Sequence, residues 1–316
     1  MDNYDLSIII PVYNASQDLM KCLNSVCQQV RDVEDRVEII IVDDGSTDNS
    51  ENVISRYENN FHLKVVRQKN KGLSAARNAG ISLATGKYLY FLDSDDYLLP
   101  GAVKAFLDYT VTEADCVQFS FQRVNSQGQV RRLVRFNDFF FRNADVFTEQ
   151  WSGYPWGKLF RRTLLCPFGF PEGFWFEDTV IPALIWPRVN NYVLSSTCAQ
   201  AYVDNPHGIT RSAARSSRSI EHITILRVLF KEQDVLGIQR SGAALDFWRE
   251  HISSKAFGRV RKLSLSAQRQ MLEEIHRLTI SYPELLASSR SLKSRVLNAS
   301  ITGESLFCWA VCSLLG

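Results

Sequence analysis

The stretch Tyr88–Pro100, YLYFLDSDDYLLP, decides how this chain is read. It opens as an aromatic and aliphatic run suited to a buried strand, and then three carboxylates, Asp93, Asp95 and Asp96, arrive within four residues. In a nearly extended chain, side chains at i and i+2 project from one face. Asp93 and Asp95 are therefore expected to face a ligand together, and Asp96 to point elsewhere, capping the turn into YLLP. A D-x-D pair of this kind suits Mg²⁺ or Mn²⁺, which take one or two carboxylates and keep positions for substrate phosphates. A simpler reading, in which these acids only cap the helix after Pro100, accounts for one carboxylate but not for three.

Upstream of this stretch, short β-branched runs alternate with helical segments, the pattern of a βαβ array with a parallel sheet. LSIIIPVYN (6–14), RVEIIIVDDGSTD (36–48), LKVVRQ (63–68) and KYLYFLDSDD (87–96) read as four strands with their exit loops. Between the first two, Leu19, Cys22, Leu23, Val26 and Cys27 recur at helical spacing and predict an amphipathic helix with one face on the sheet. Ser46, Thr47 and Asp48 are candidate caps for a helix around Val53, Ile54 and Tyr57. KGLSAARNAGISLATG (71–86) reads as a helix of small residues bounded by glycines.

Past Pro100 the pattern changes. A helix over about 101–109 precedes two alternating runs, 115–124 and 130–136, on either side of NSQGQ, which predicts a hairpin. An aromatic-rich region follows, then a strand near 192–204, and from about Ile220 the sequence is helical. Residues 1–215 thus read as one α/β unit and 216–316 as a helical appendage. With 316 residues and 45% hydrophobic content, the chain can bury one large core and a smaller one.

Net charge is only +2, but 208–295 hold 16 Lys/Arg against 8 Asp/Glu, while 1–207 hold 20 against 25. The basic, helical C-terminal third could lie on an anionic membrane surface or form a solvated face beside a packed terminal helix. The apolar run SLFCWAVCSLLG (305–316) falls short of the roughly 18 residues of a span. No basic leader precedes the first strand, so the expected location is cytoplasmic. Seven cysteines, an odd number without zinc-type spacing, read as buried thiols at Cys22 and Cys27. Nucleic acid is not among the expected partners.

In open α/β sheets, ligands collect beyond the carboxyl ends of the strands. The first strand leaves through PVYN, the second through VDDGSTD and the fourth through LDSDD, so an aromatic ring and several carboxylates converge on one rim. One of Asp43 and Asp44 is expected to serve the turn. The other, across from Tyr13, can accept a hydrogen bond from a nucleobase imide while the phenol ring stacks on the base.

SIIIPVYN, IIIVDDGSTD, KGLSAARNAG, YLYFLDSDD, and WGKLFRRTLL with GFWFEDTV, in this order, resemble family 2 glycosyltransferases of the inverting type with the GT-A fold. The resemblance spans about 5–212. It implies a nucleotide-sugar half over about 1–100 and an acceptor half over about 101–215. Pro11 and Tyr13 would line a uracil pocket, Asp44 would contact the base, and Arg77 would reach the nucleotide unless it is a plain surface arginine. Asp93 and Ser94 would meet the ribose or donor sugar, and Asp95 would hold Mn²⁺ or Mg²⁺. The later E-D pair makes Asp178 the general base and Glu177 a residue orienting the acceptor hydroxyl or the base. By position, His207 would add a metal ligand, and Arg211 and Ser212 would belong to a loop over the diphosphate.

Membrane spans and the Q-x-x-R-W motif of processive synthases are not seen. The resemblance therefore implies transfer of a single hexose or N-acetylhexosamine from a UDP-sugar, to a lipid-linked saccharide at the inner face of a bacterial membrane. A sugar-phosphate nucleotidylyltransferase would need a glycine-rich loop after strand one, which PVYNASQD lacks. A haloacid-type phosphatase would carry its aspartates after the first strand. A catalytically degenerate glycan-binding protein would have no use for a base at Asp178.

Overall fold

The structure, a computed structural model, describes residues 4–58, 63–142, 153–205 and 216–286. Strands β1 (Tyr4–Val12), β2 (Val37–Asp43), β3 (Leu63–Arg67) and β4 (Gly86–Phe91) pair in parallel in the order β3-β2-β1-β4. The runs of Ile, Val and Leu in β1 and β2 are buried on both faces, as strands covered on both sides must be, whereas edge strand β3 is only half-buried. Helix α1 (Leu19–Val30) buries Leu19, Cys22, Leu23, Val26 and Cys27, the face predicted from spacing. In α2 (Ser50–Glu58) the first turn is held by Asp48, whose Oδ1 accepts from Ser50 N–H at 2.9 Å, so Asp48 rather than Ser46 or Thr47 is the cap.

Helix α3 (Leu73–Leu83) is made of small residues because it packs close to the sheet. A Cβ added at Gly80 would come within 2.4 Å of Ile9 Cγ2. Gly80→Ala is expected to lower stability by about 1–3 kcal/mol, measured as a fall in the denaturant midpoint. An unchanged midpoint would mean that the Ile9 side chain yields without strain.

Helix α4 (Ala102–Thr110) follows the short strand β5 (Tyr97–Leu98). The hairpin forms as predicted, with β6 (Cys116–Val124) antiparallel to β7 (Val130–Val134), and Asn125 Oδ1 accepts from the Gln129 N–H at 2.8 Å to close the turn. Then come β8 (Phe139–Arg142), β9 (Lys158–Arg161) and β10 (Asn191–Val203). The sequence KLFR does not announce a strand, yet as β9 it inserts antiparallel between β4 and β6 and joins the parallel half of the sheet to the rest. β10 runs parallel to β6, and β5 closes that edge.

The described residues divide into two compact units. One comprises the sheet and its helices, with 153–173 and 188–205; the other contains 174–187 and the residues from 216 onward. The E-D segment is thus grouped with the C-terminal helices rather than with the sheet, across the expected cut at 215. Its apolar residues Val180–Trp186 are buried, and the Gln233 amide on helix Glu221–Val235 donates to Ala183 O at 2.7 Å. Residues 177–188 are helical but irregular, mixing tight and wide turns around Pro182, which has no N–H to donate. Among the described residues no helix is long and apolar enough to cross a membrane.

The described cysteines are free thiols, and Cys22, Cys27 and Cys116 are buried. Desolvation raises the Cys27 thiol to about 12, so it behaves as an apolar side chain.

Candidate active site

Because β1, β2 and β4 are parallel, their carboxyl ends lie on one edge, with Val12 opposite Asp43 and Ile9 opposite Phe91. The loops after β1 and β2 are tied to each other. Asn14 N–H donates to Ser46 Oγ at 3.0 Å, Thr47 N–H to Asn14 Oδ1 at 2.7 Å, and Ser16 N–H to Asp48 Oδ2 at 3.0 Å. These ties hold Asn14 in the left-handed region at φ 50°, which asparagine tolerates better than most residues. Pro11 is buried in β1, and Tyr13, just past the strand, is 50% exposed. A large aromatic ring in solvent at this edge suits stacking on a planar base.

Both carboxylates after β2 hold structure, where the sequence left that role to one of them. Asp43 Oδ1 accepts from Ser46 N–H at 3.0 Å and closes the turn. Asp44 is buried and gathers the 68–72 loop. Its Oδ1 accepts from Gln68 Nε2 at 2.6 Å and Lys71 N–H at 2.9 Å, and its Oδ2 from Gly72 N–H at 2.7 Å. A carboxylate accepts about four hydrogen bonds, which leaves room on Oδ2 for one further donor such as a base imide.

The D-x-D lies in a turn rather than an extended segment, since the Asp96 N–H donates to Asp93 O at 3.0 Å. Asp93, Ser94 and Asp95 are half-buried and Asp96 is buried. Asp96 points away from the other two, but not to cap the following turn. It is held by β10, its Oδ2 accepting from Gln200 Nε2 at 2.7 Å and its Oδ1 from Val203 N–H at 2.8 Å; the Tyr90 hydroxyl donates to Gln200 Oε1 at 2.6 Å. Burial first, and then the charges of Asp95 and Asp93, push the Asp96 carboxyl well above the usual range.

Arg77 is not a surface arginine. It is 2% exposed, its Nη2 lies 3.0 Å from Asp93 Oδ1, and its guanidinium sits 5.2 Å from the Phe170 ring. Its observed work is to hold Asp93. Removing one partner of a buried pair strands the other charge, at about 3 kcal/mol here, the low end of the usual range because Asp93 is 26% exposed. Arg77→Ala should therefore lower the unfolding midpoint accordingly and weaken nucleotide binding, measured by denaturation and UDP titration. A stable variant would show that water replaces the guanidinium without loss.

Asp95 Oδ2 accepts from Asn205 Nδ2 at 3.0 Å. Asn205 carries no motif, and only the fold brings it across a separation of 110 residues. Burial and the neighbouring Asp93 raise the Asp95 carboxyl above its ordinary value. Two adjacent, half-buried carboxylates are what a divalent cation bridges and neutralises, so the donor chemistry fits Mn²⁺ or Mg²⁺. Among the described residues no group of three or more His, Cys, Asp or Glu could hold a metal, so the remaining positions would fall to phosphate oxygens, water or His207. His207, Arg211 and Ser212 lie outside the described residues.

In the second unit, Glu177 is buried and Asp178 half-buried in the first turn of the irregular helix. The segment is anchored from below, with Trp175 N–H donating to Glu221 Oε2 at 2.8 Å. Arg259, which the sequence showed only as one of many basic residues, stacks 4.0 Å from the Phe176 ring. Burial lowers the proton affinity of its guanidinium, and the charge of Asp178 opposes that shift. Phe176 in turn meets His222 edge-on, and desolvation keeps the His222 and His251 imidazoles neutral.

A sheet flanked by helices whose parallel strands bring an exposed tyrosine, a buried carboxylate and a D-x-D to one edge is a GT-A glycosyltransferase fold. Residues 7–166, about half of the sequence, match Glycosyl transferase family 2, and the chain belongs to that family. It is 47% identical over 96 residues to the uncharacterized glycosyltransferase YibD of Escherichia coli K12, covering 30% of this chain and 27% of that protein. It is 38% identical over 128 residues to chondroitin synthase of Pasteurella multocida, covering 40% of this chain and 13% of that one. The matched parts are thus less than a third of either relative. The structure of S. aureus TarS 1–349 in complex with UDP-GlcNAc superposes with a TM-score of 0.77 over 98% of this chain and 90% of that one, at 22% identity, a likeness of fold.

Proposed function

We propose that this chain is an inverting glycosyltransferase that moves a single hexose or N-acetylhexosamine from a UDP-sugar to a hydroxyl of a lipid-linked saccharide, in the assembly of a bacterial surface polysaccharide. The observation that carries the reading is the single rim holding Tyr13, Asp44, Asp93 and Asp95. The polysaccharide context is supported by the chondroitin synthase relative, and the UDP-sugar by the TarS complex.

Tyr13 stacks on the uracil above Pro11, and the remaining acceptor position of Asp44 takes the base imide. Asp93, fixed by Arg77, and Ser94 meet the ribose or donor sugar. Asp95, with His207, would hold Mn²⁺ or Mg²⁺, which when bound neutralises charge on the diphosphate leaving group. Arg211 and Ser212 close over the diphosphate. Asp178 takes the proton of the acceptor hydroxyl while that oxygen forms its bond to the anomeric carbon; the bond to the phosphate oxygen breaks, and UDP leaves with the electron pair. Glu177 orients the acceptor hydroxyl or Asp178. The enzyme would work in the cytoplasm on the inner face of the membrane, with the basic C-terminal region as a peripheral contact.

A panel of sugar nucleotides, tested by thermal shift and slow donor hydrolysis with and without Mn²⁺, checks the reading. UDP and one UDP-sugar should stabilise the protein only with the metal. No response to any uridine nucleotide, or a preference for a guanosine nucleotide, would sink it.

A further inference from the structure

Between β6 and β10 the chain makes a feature that the sugar-transfer reading does not use. β7 lies against the C-terminal half of β6, and β8 against the N-terminal half of β10. Residues 135–138 cross from one to the other, so 130–142 form a strap over the β6/β10 pair. The strap is fastened in its middle. Phe136 N–H donates to Ser120 Oγ at 2.9 Å, Ser120 Oγ donates to Ser195 O at 2.9 Å, and Asp138 accepts from the Ser196 N–H and hydroxyl, each at 2.7 Å. At its end Phe141 stacks on Tyr192, with ring centroids 4.6 Å apart.

A fastened segment would ordinarily bury its apolar residues, yet Val130 is 54% exposed, Leu133 38%, Phe139 56% and Phe140 41%. Interleaved with them are Arg131, Arg132, Arg135 and Arg142, all exposed. Among the described residues no carboxylate pairs with these four, and Asp138, the only acid within 130–142, has both oxygens committed to Ser196. Large apolar side chains exposed along one short segment mark an interaction site, and arginines among them without a carboxylate partner call for an anionic one.

We propose that the strap 130–142 docks on an anionic lipid bilayer, with the arginines at the headgroups and Phe139, Phe140, Val130 and Leu133 at the acyl boundary. A soluble polyanion would use the arginines but not the aliphatic side chains; a bilayer uses both. The position of the strap supports the same occupant. Val130 pairs with Val124, the Asp204 N–H donates to Val124 O at 2.8 Å, and the next residue, Asn205, holds Asp95. The strap thus begins beside the D-x-D rim, where a lipid-anchored acceptor must arrive.

The test uses the full chain and co-sedimentation with phosphatidylcholine vesicles, with and without phosphatidylglycerol, in the absence of any nucleotide. Wild type should bind the anionic vesicles selectively and lose them at high salt. The combined Arg131→Glu, Arg132→Glu and Arg135→Glu variant should bind on the order of a hundredfold more weakly. Phe139→Ser with Phe140→Ser should bind about tenfold more weakly, and a chain ending at Ile301 should keep its strap-dependent binding. Circular dichroism and the UDP thermal shift establish that the variants fold. Equal binding by wild type and folded strap variants overturns the proposal. So does equal binding of wild type to both vesicle types, or capture by dextran sulfate that matches the vesicles and ignores the phenylalanine changes. Vesicle binding needs neither donor nor metal, so its failure leaves the transfer reading standing, and a missing UDP response leaves the strap standing.

Discussion

Asp95→Ala is expected to leave UDP binding insensitive to Mn²⁺ and to lower sugar transfer by about a thousandfold. Asp95 is half-buried beside Asp93, and both its burial and that neighbouring charge push its carboxyl toward the protonated form. Without a cation the same two charges repel a diphosphate. Removing Asp95 should therefore leave metal-free UDP affinity unchanged or slightly higher, while the gain on adding Mn²⁺ disappears. Titration calorimetry of UDP with Mn²⁺ and with a chelator reads both effects. If the variant still gains affinity from Mn²⁺, the ligand lies elsewhere. If metal-free affinity collapses, Asp95 is holding the fold of the turn through Asn205 rather than a cation.

Asp178→Asn is expected to lower turnover by about 10² to 10⁴-fold, the range for loss of a general base, with UDP and Mn²⁺ affinity kept. Asparagine has nearly the same shape and retains a carbonyl oxygen, but it cannot take up the acceptor proton. Asp178 also belongs to a different compact unit from the rim that carries Tyr13, Asp44 and Asp95, so the substitution should not disturb that rim. Turnover at saturating donor and acceptor, set beside UDP titration, separates the two functions. Loss of UDP binding together with turnover would remove Asp178 from the role of base, and unchanged turnover would do so directly.

The parallel half of the sheet is legible because its signals are local. Ile8–Ile10 and Ile39–Val42 are continuous apolar runs that only a doubly covered strand accommodates, and the Leu19 to Cys27 spacing has a helical period. The elements that escaped are those whose partners lie far away in sequence. KLFR is too short to announce a strand, and what makes it β9 is the gap between β4 and β6. Asn205, Gln200 and Arg259 have no motif either; each matters through contacts made across a long separation.

The opening stretch shows where the division falls. From the residues alone, a buried strand ending in a D-x-D beside PVYN and VDDGSTD was enough to indicate a parallel α/β sheet with an aromatic ring and carboxylates gathered at one rim. The division of labour among those residues was settled by tertiary contacts. Arg77 is buried to hold Asp93, Asp44 gathers a loop while keeping one acceptor position, and Asp96 turns inward to Gln200 and Val203. Chemical type and periodicity are properties of neighbouring residues, so they can be read along the chain. Burial, and the partner that satisfies each buried charge, exist only once distant strands have met.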